Sequence, residues 1–406
     1  MLRSILLGML LLSLAAALVL HPGDSFQAAL QGLTIWWEIV FPGLLPFYVL
    51  SELLFALGAI HALGVLLDPL MRTAFRLPGD AGWAVALGWT AGFPSGAEAA
   101  ARLKRDGRLS TPEAQRLMAL SHMPSPVLML IVIGAGFMNR PALGAAVAAS
   151  VWLSGLLLGF LMARFTPQIA TSKRPEGTGG GTGGGSARHR SLPSRVRAAM
   201  EEARKRDGRG LGKALGDAVA TGVQRLMAVG GFMIAGSVLI RLLKLGLPEV
   251  LRPLSYAGIY EAHLGAFAAG RVLQSYGLPL TAAALAALLG WSGWSALLGA
   301  QSAASGAGLK LGPFVTARLL HAALAFAVAL PLAKPIVSLL ERIVPALSGA
   351  YFPAEPVFRT ADGGAIQAEG LRFLWAVAPV TFALLLAFLA AAALLSIALS
   401  QNNPKK

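Results

Sequence analysis

Long apolar runs, separated by short clusters of charge, dominate this chain of 406 residues. Crossing roughly 30 Å of hydrocarbon takes about 20 helical residues. Runs of that order lie at residues 4–20, 33–59, 114–138, 142–165, 215–239, 280–303, 314–333 and 373–400. They predict eight transmembrane helices. Residues 61–103 and 247–274 are also apolar but are broken by glycine, proline and charge, and they predict two re-entrant helical hairpins. The fold class is therefore an all-α integral membrane protein. The first run has the length of a signal peptide. No A-x-A-like site precedes a soluble domain, and more spans follow at once, so it reads as an uncleaved first span.

Threading these runs through a bilayer with Arg3 on the cytoplasmic side puts Arg72, Arg76, Arg102, Lys104, Arg105, Arg108 and Arg164 on that side as well. Arg140 falls outside. This is the bias expected when Lys and Arg set topology. The order span, hairpin, broken span, span then occurs twice with opposite orientation, an inverted-topology repeat of the kind that builds many secondary transporters. Ser95 to Ser125 spans 30 positions and Glu261 to Ser292 spans 31. The predicted organisation is a first transmembrane helix and loop (1–32), a first repeat (33–165), a linker (166–213), a second, inverted repeat (214–333), an extracytoplasmic loop region (334–372), and a last helix with a basic tail (373–406). The linker contains "EGTGGGTGGGSARHR", a flexible glycine-rich stretch, then the basic, helix-forming "RVRAAMEEARKRDGRG". Residues 166–212 carry ten Lys/Arg against four Asp/Glu, a solvated cytoplasmic linker beside anionic head groups.

Composition sharpens this picture. Hydrophobic residues make up 56% and charged residues only 13%, with a mean hydropathy of +0.66; a soluble chain carries roughly a quarter charged residues. The net charge of +15 reads as topology and not as nucleic-acid binding, because no aromatic residues are interleaved with the basic ones. The absence of cysteine excludes disulfides, thiol nucleophiles and Cys-ligated metals. H-E-x-x-H, G-x-S-x-G and Walker A signatures are missing, so neither an enzyme nor a metal or cofactor is expected. Without a nucleotide-binding domain, transport would be driven by a gradient or facilitated.

Candidate chemistry sits at four interruptions: "AGFPSGAEAA" (91–100), "LSHMPSPVLML" (120–130), "GIYEAHLGAFAAG" (258–270) and "GWSGWSALLGAQSAASGAG" (290–308). Proline removes a backbone donor and frees a carbonyl. Non-helical backbone at membrane depth is tolerated only where protein or a wet cavity covers it, and exposed helix N-termini attract anions. Gly92, Phe93, Pro94, Ser95 and Gly96 thus read as the tip of a hairpin facing a substrate. Glu98 is either a substrate or ion ligand or the i,i+4 partner of Arg102. Glu261, next to His263, is the stronger acid for a coupling H+ or Na+. His122, between Ser121 and Ser125, either serves an anion or proton or is a satisfied buried histidine. Ser292, Ser295, Trp291 and Trp294 suit a flat aromatic ligand, or the tryptophans anchor at the interface. Arg225, with Asp217 two turns earlier, and Arg318 with His321 either neutralise an anionic substrate or pair helix to helix. Gly155 and Gly159 form a helix-packing motif.

The runs "FPGLLPFYVLSELL" (41–54), "GFPSGAEAAARL" (92–103) and "LSTPEAQRLMALSHMPSPVLML" (109–130) resemble the YlbJ-type sporulation integral membrane proteins. Those proteins carry the nucleoside-recognition Gate domain, which is similar to the core of concentrative nucleoside transporters, where two re-entrant hairpins and two broken helices surround the substrate. The resemblance covers most of 33–333. It implies a role in endospore formation and a substrate, dipicolinic acid, moved from the mother cell across the outer forespore membrane. It also implies a homo-oligomer, since concentrative nucleoside transporters are trimers. Dipicolinate is a flat pyridine with two carboxylates, which backbone amides, serines and tryptophan would suit; a nucleoside permease and a non-transporting morphogenetic membrane protein are the other readings.

Overall fold

A computed structural model describes residues 2–165 and 191–343, with single helical positions at 391, 394, 395 and 398. The glycine-rich part of the linker, the region after 343 and the run at 373–400 lie outside the described residues. No strand occurs among the described residues.

The chain opens with α1 (Leu2–Leu20) and α2 (Pro22–Ile35), which continues through a wide π-type turn at Trp36–Val40 into α3 (Phe41–Ala56). Pro22 sits in the first turn of α2, with Asp24 beside it. There the missing amide costs nothing and the carboxylate faces the positive end of the helix dipole. The second apolar helix thus runs from Pro22 to Ala56, and the boundary expected at 32 falls within it. Next come α4 (Ala59–Thr73), α5 (Ala81–Ala91), α6 (Ser95–Arg105) and α7 (Thr111–Ser121). Ser110 and Glu113 start α7 with a reciprocal capping box, which satisfies two otherwise free amides. A π-type helix at Leu128–Phe137 and α8 (Pro141–Phe165) follow.

After the linker, α9 (Leu192–Asp207) leads into α10 (Leu211–Gly246). A 3-10 turn at Glu249–Ser255 precedes α11 (Ala257–Tyr260) and α12 (Ala262–Leu273), then α13 (Leu278–Trp291), α14 (Gly293–Ala303) and α15 (Leu311–Ile343). By length and composition, Pro22–Ala56, Pro141–Phe165, Leu211–Gly246, Leu278–Ala303 and Leu311–Ile343 can cross a membrane. Of the other expected spans, the one at 4–20 is a shorter apolar helix, and the one at 114–138 is split into α7 and Leu128–Phe137. α15 continues ten residues past the end expected at 333, despite Pro331 and Pro335 inside it.

α8 is the central helix. It packs on Leu128–Phe137, α13 and α15, and Ser150 and Ser154 are fully buried on it. Their hydroxyls donate to carbonyls of their own helix, to Ala146 at 2.8 Å and Val151 at 3.0 Å, so no donor is stranded. A Cβ at Gly155 would lie 1.9 Å from Met123 Cε, and one at Gly159 2.8 Å from Leu120 Cδ1. The two glycines therefore seat α8 against the end of α7. Outer faces are apolar: α10 exposes Leu215, Met227 and Phe232, and α15 exposes Leu319, Leu320 and Leu330. Lipid, not water, is the medium that such faces match.

Arg225 makes a helix-to-helix pair, one of the two readings its sequence position allowed. Arg225 pairs with Glu52 of α3 at 2.8 Å, while Asp217 pairs with Arg209 at 3.0 Å. The helical part of the linker is not freely solvated. α9 docks on α4, with Arg195 bonded to Asp68 at 2.8 Å.

Candidate functional site

The first break separates α5 from α6. Gly92 ends α5 at φ +83°, a backbone state that costs a side-chain-bearing residue energy, and Phe93 and Pro94 complete the turn. α5 and α6 then run back against each other, with a Cβ at Gly88 falling 2.9 Å from the Gly96 Cα. The result is a helical hairpin whose tip is residues 92–94. Ser95 is buried at the start of α6, whereas Glu98 is exposed one turn further on. Among the described residues Glu98 makes no ion pair with Arg102, whose guanidinium lies 6.0 Å from the Trp83 ring centroid.

The second break is residues 122–125, where α7 stops before two prolines, Pro124 and Pro126. Ser121 donates to the Leu117 carbonyl at 2.7 Å, and Ser125 Oγ accepts from the Leu128 amide at 3.2 Å. That second bond caps the helix resuming after the break. The third break is Glu261, which adopts extended backbone between α11 and α12. These helices also fold back on each other, a Cβ at Gly265 reaching 2.3 Å from the Gly258 Cα. Both carboxylate oxygens of Glu261 are engaged: Oε2 accepts from the Leu264 amide at 2.7 Å and Oε1 lies 2.6 Å from His263 Nδ1. Glu261 and His263 are both buried, so the acid caps the N-terminus of α12 and holds the imidazole beside it.

The fourth break is at Ser292 and Gly293, with φ of 72° and 81°. Glycine at 293 is required twice over, since a Cβ there would also lie 3.0 Å from the Tyr260 carbonyl and 3.1 Å from the Glu261 backbone. Trp291 donates to the Ile259 carbonyl at 3.1 Å and meets Trp294 edge-on at 5.5 Å. Ser295 is half-buried on α14.

These breaks, more than 150 positions apart at the extremes, are joined by a continuous set of contacts. A Cβ at Gly92 would lie 3.0 Å from the Ser125 backbone, so the first tip rests on the second break. Phe93 stacks on His122 with centroids 5.0 Å apart and an interplanar angle of 20°. His122 Nε2 lies 3.1 Å from Ser292 Oγ, which also donates to the Trp291 carbonyl at 2.5 Å. Gly293 then seats the Glu261 tip. Of the residues singled out from sequence, Gly92, Phe93, His122, Ser125, Glu261 and Ser292 belong to this contact set, while Pro94 and Ser95 lead into α6 and Ser121 ends α7. Gly96 packs on the Ser121 carbonyl, and Glu98 stands apart.

One group is more central than its sequence signal suggested. Arg318 and His321 of α15 are fully buried. Arg318 Nη1 donates to the His122 carbonyl at 2.8 Å, and His321 Nε2 lies 3.0 Å from the Val151 carbonyl and 3.1 Å from Ser154 Oγ. Phe314, one turn before Arg318, meets the His122 ring edge-on at 5.0 Å. The pattern Phe314-x-x-x-Arg318-x-x-His321 in an otherwise apolar run puts all three on one helix face, and that was the available signal. No cluster of metal-ligating side chains occurs among the described residues.

Residues 37–141, which contain the first two breaks, match the Gate family, described as nucleoside recognition. The chain is 34% identical over 352 residues to the "Sporulation integral membrane protein YlbJ" of Bacillus subtilis (strain 168), covering 82% of this chain and 84% of that protein. No solved structure matches it. With that identity over that length, the chain belongs to the family of sporulation integral membrane proteins represented by YlbJ.

Proposed function

We propose that this protein is a secondary transporter of a small anionic aromatic molecule, dipicolinic acid in endospore formation. The observation that carries the reading is the contact set joining four backbone breaks, two from each half, through the His122–Ser292 pair. Broken backbone inside an apolar bundle is tolerated only where protein or a wet cavity covers it, and a cavity lined by such breaks is a place for a ligand. Its assembly from separate halves is the arrangement by which transporters expose one site alternately to two sides. On this reading α5–α6 and α11–α12 are re-entrant hairpins of an inverted repeat, with about eight spans in all, and they rock against the outer helices. The Glu261–His263 pair is the candidate seat for a coupling proton, with Na+ as the other coupling ion. The membrane is the outer forespore membrane or the cell membrane, and the unit is a homo-oligomer.

The test is flux of radiolabelled dipicolinate into proteoliposomes, with and without a pH or sodium gradient. Uptake above protein-free liposomes is expected, and its absence under every gradient would refute the proposal. The description of the Gate family favours a nucleoside-type permease as a second reading. Binding of uridine without binding of dipicolinate would select it. A non-transporting morphogenetic role predicts that Ser95→Ala and Glu261→Gln leave spore dipicolinate content unchanged.

A further inference from the structure

The arginines within the apolar helices and at their ends are treated differently from one another. Arg225 faces Glu52, Arg241 faces Asp24, and Arg140 makes a two-point bond to Glu341 at 2.8 and 3.2 Å. Arg318 is the most deeply placed, with no solvent exposure, yet among the described residues it has no carboxylate partner. Nη1 donates to the His122 carbonyl. Among the described residues Nε and Nη2 have no partner, and neither do His122 Nδ1 and His321 Nδ1.

The chemistry of the two free nitrogens is specific. Nε and Nη2 lie on the same edge of the guanidinium, and their N–H bonds point out in parallel. This is the fork that takes the two oxygens of one carboxylate side by side. A buried cation without a partner is among the most expensive features a fold can carry. Here it lies against the second break, beside the imidazole that links the two halves. The aromatic rings of Phe93 and Phe314 border the same imidazole.

We propose that Arg318 is the receptor for a carboxylate of the transported molecule, bound side-on through Nε and Nη2. The proposal rests on the transporter reading and narrows it to organic anions. A neutral nucleoside leaves the fork unpaired, and a site built around a charged donor rejects ligands lacking the matching acceptor. The Nη1 bond ties the receptor to the backbone of the second break, so the arrival of an anion is felt directly where α7 stops.

The experiment uses the full chain, in lipid nanodiscs for binding and in proteoliposomes for flux, with dipicolinate, its uncharged diamide and uridine as probes. Three proteins are compared: wild type, Arg318→Met, which keeps length and removes charge, and Arg318→Lys, which keeps charge and removes the fork. Wild type should prefer dipicolinate to the diamide. Affinity for dipicolinate should fall about 100-fold in Arg318→Met and about tenfold in Arg318→Lys. Without ligand, Arg318→Met should melt at or above the wild-type temperature, since an apolar side chain replaces an unpaired buried charge. A lower ligand-free midpoint or failure to fold in Arg318→Met overturns the proposal, because the guanidinium then belongs to the fold. Dipicolinate binding and flux that persist in Arg318→Met overturn it while leaving transport intact. Wild-type protein that neither binds nor moves any probe removes the transporter reading, and this proposal with it.

Discussion

Replacing Gly96 with alanine puts a methyl group against a backbone that cannot turn aside. The new Cβ would fall 2.2 Å from the Ser121 carbonyl oxygen and 2.7 Å from its carbon, where ordinary contact begins at 3.4 Å. Relief requires the α5–α6 hairpin to move from the second break by about 1.2 Å, the difference between 3.4 and 2.2 Å. Rotamer changes cannot absorb this, because the obstacle is main chain. Overpacking of this kind costs about 1–3 kcal/mol, and each kcal/mol lowers the melting point by roughly 2–4 °C in chains of 150–250 residues. The displacement also pulls Gly92 from Ser125 and Phe93 from His122, so on the proposed transporter reading dipicolinate flux should fall with the midpoint. The control is Gly216→Ala on α10, where nothing lies within 4 Å and alanine should stabilise the helix by up to about 1 kcal/mol. Thermal unfolding in detergent and flux in liposomes, run on both variants, measure this. A Gly96→Ala protein that melts and transports like wild type would refute the claim that the hairpin tip is seated on the break.

Three further outcomes follow from the same geometry. Glu261→Ala strands the Leu264 amide and His263 Nδ1, about 1–3 kcal/mol for each buried group, whereas Glu261→Gln keeps an acceptor for the amide. The alanine variant should therefore melt lower than the glutamine variant, and equal midpoints would count against the capping role. The double variant Arg225→Met/Glu52→Met should destabilise less than the sum of the two single variants, by a coupling of about 0.5–3 kcal/mol in a double-mutant cycle; zero coupling contradicts the pair. At the α9–α10 junction, hydrogen bonds from Arg209 hold the Asp207 carboxyl below its usual range. A depressed carboxyl contributes stability above its unfolded pKa of about 3.9 that is lost as pH falls through the lower folded value. A spin label on α9 should therefore gain mobility only below about pH 4, and an onset near neutrality would contradict that pairing.

The positions of the breaks were legible because glycine and proline clustered with polar residues interrupt a helix, and interrupted backbone at membrane depth must be covered by protein or a wet cavity. "GFPSG", "SHMPSP", "IYEAH" and "GWSGW" all coincide with interrupted helix. Partnership was not legible, because it depends on which helix faces which. The acceptor beside His122 is Ser292, 170 positions away, and neither residue's neighbours in sequence announce the other. For the same reason Glu98, a charge beside the first break with Arg102 at i+4, read either as a ligand or as half of a helical pair. Helical spacing brings two side chains to one face without deciding whether that face meets protein or solvent, and α6 turns Glu98 outward. Arg225 allowed either an anionic substrate or a helix-to-helix pair, and nothing local named its partner, Glu52 on α3. Arg318 reverses the case. A lone arginine in an apolar run reads equally as a future ion pair or as a site, and among the described residues the packed bundle supplies a carbonyl for one of its nitrogens and no partner for the other two. Sequence therefore locates where the backbone is expensive, while the balance of charge that gives the expense a purpose belongs to the tertiary structure.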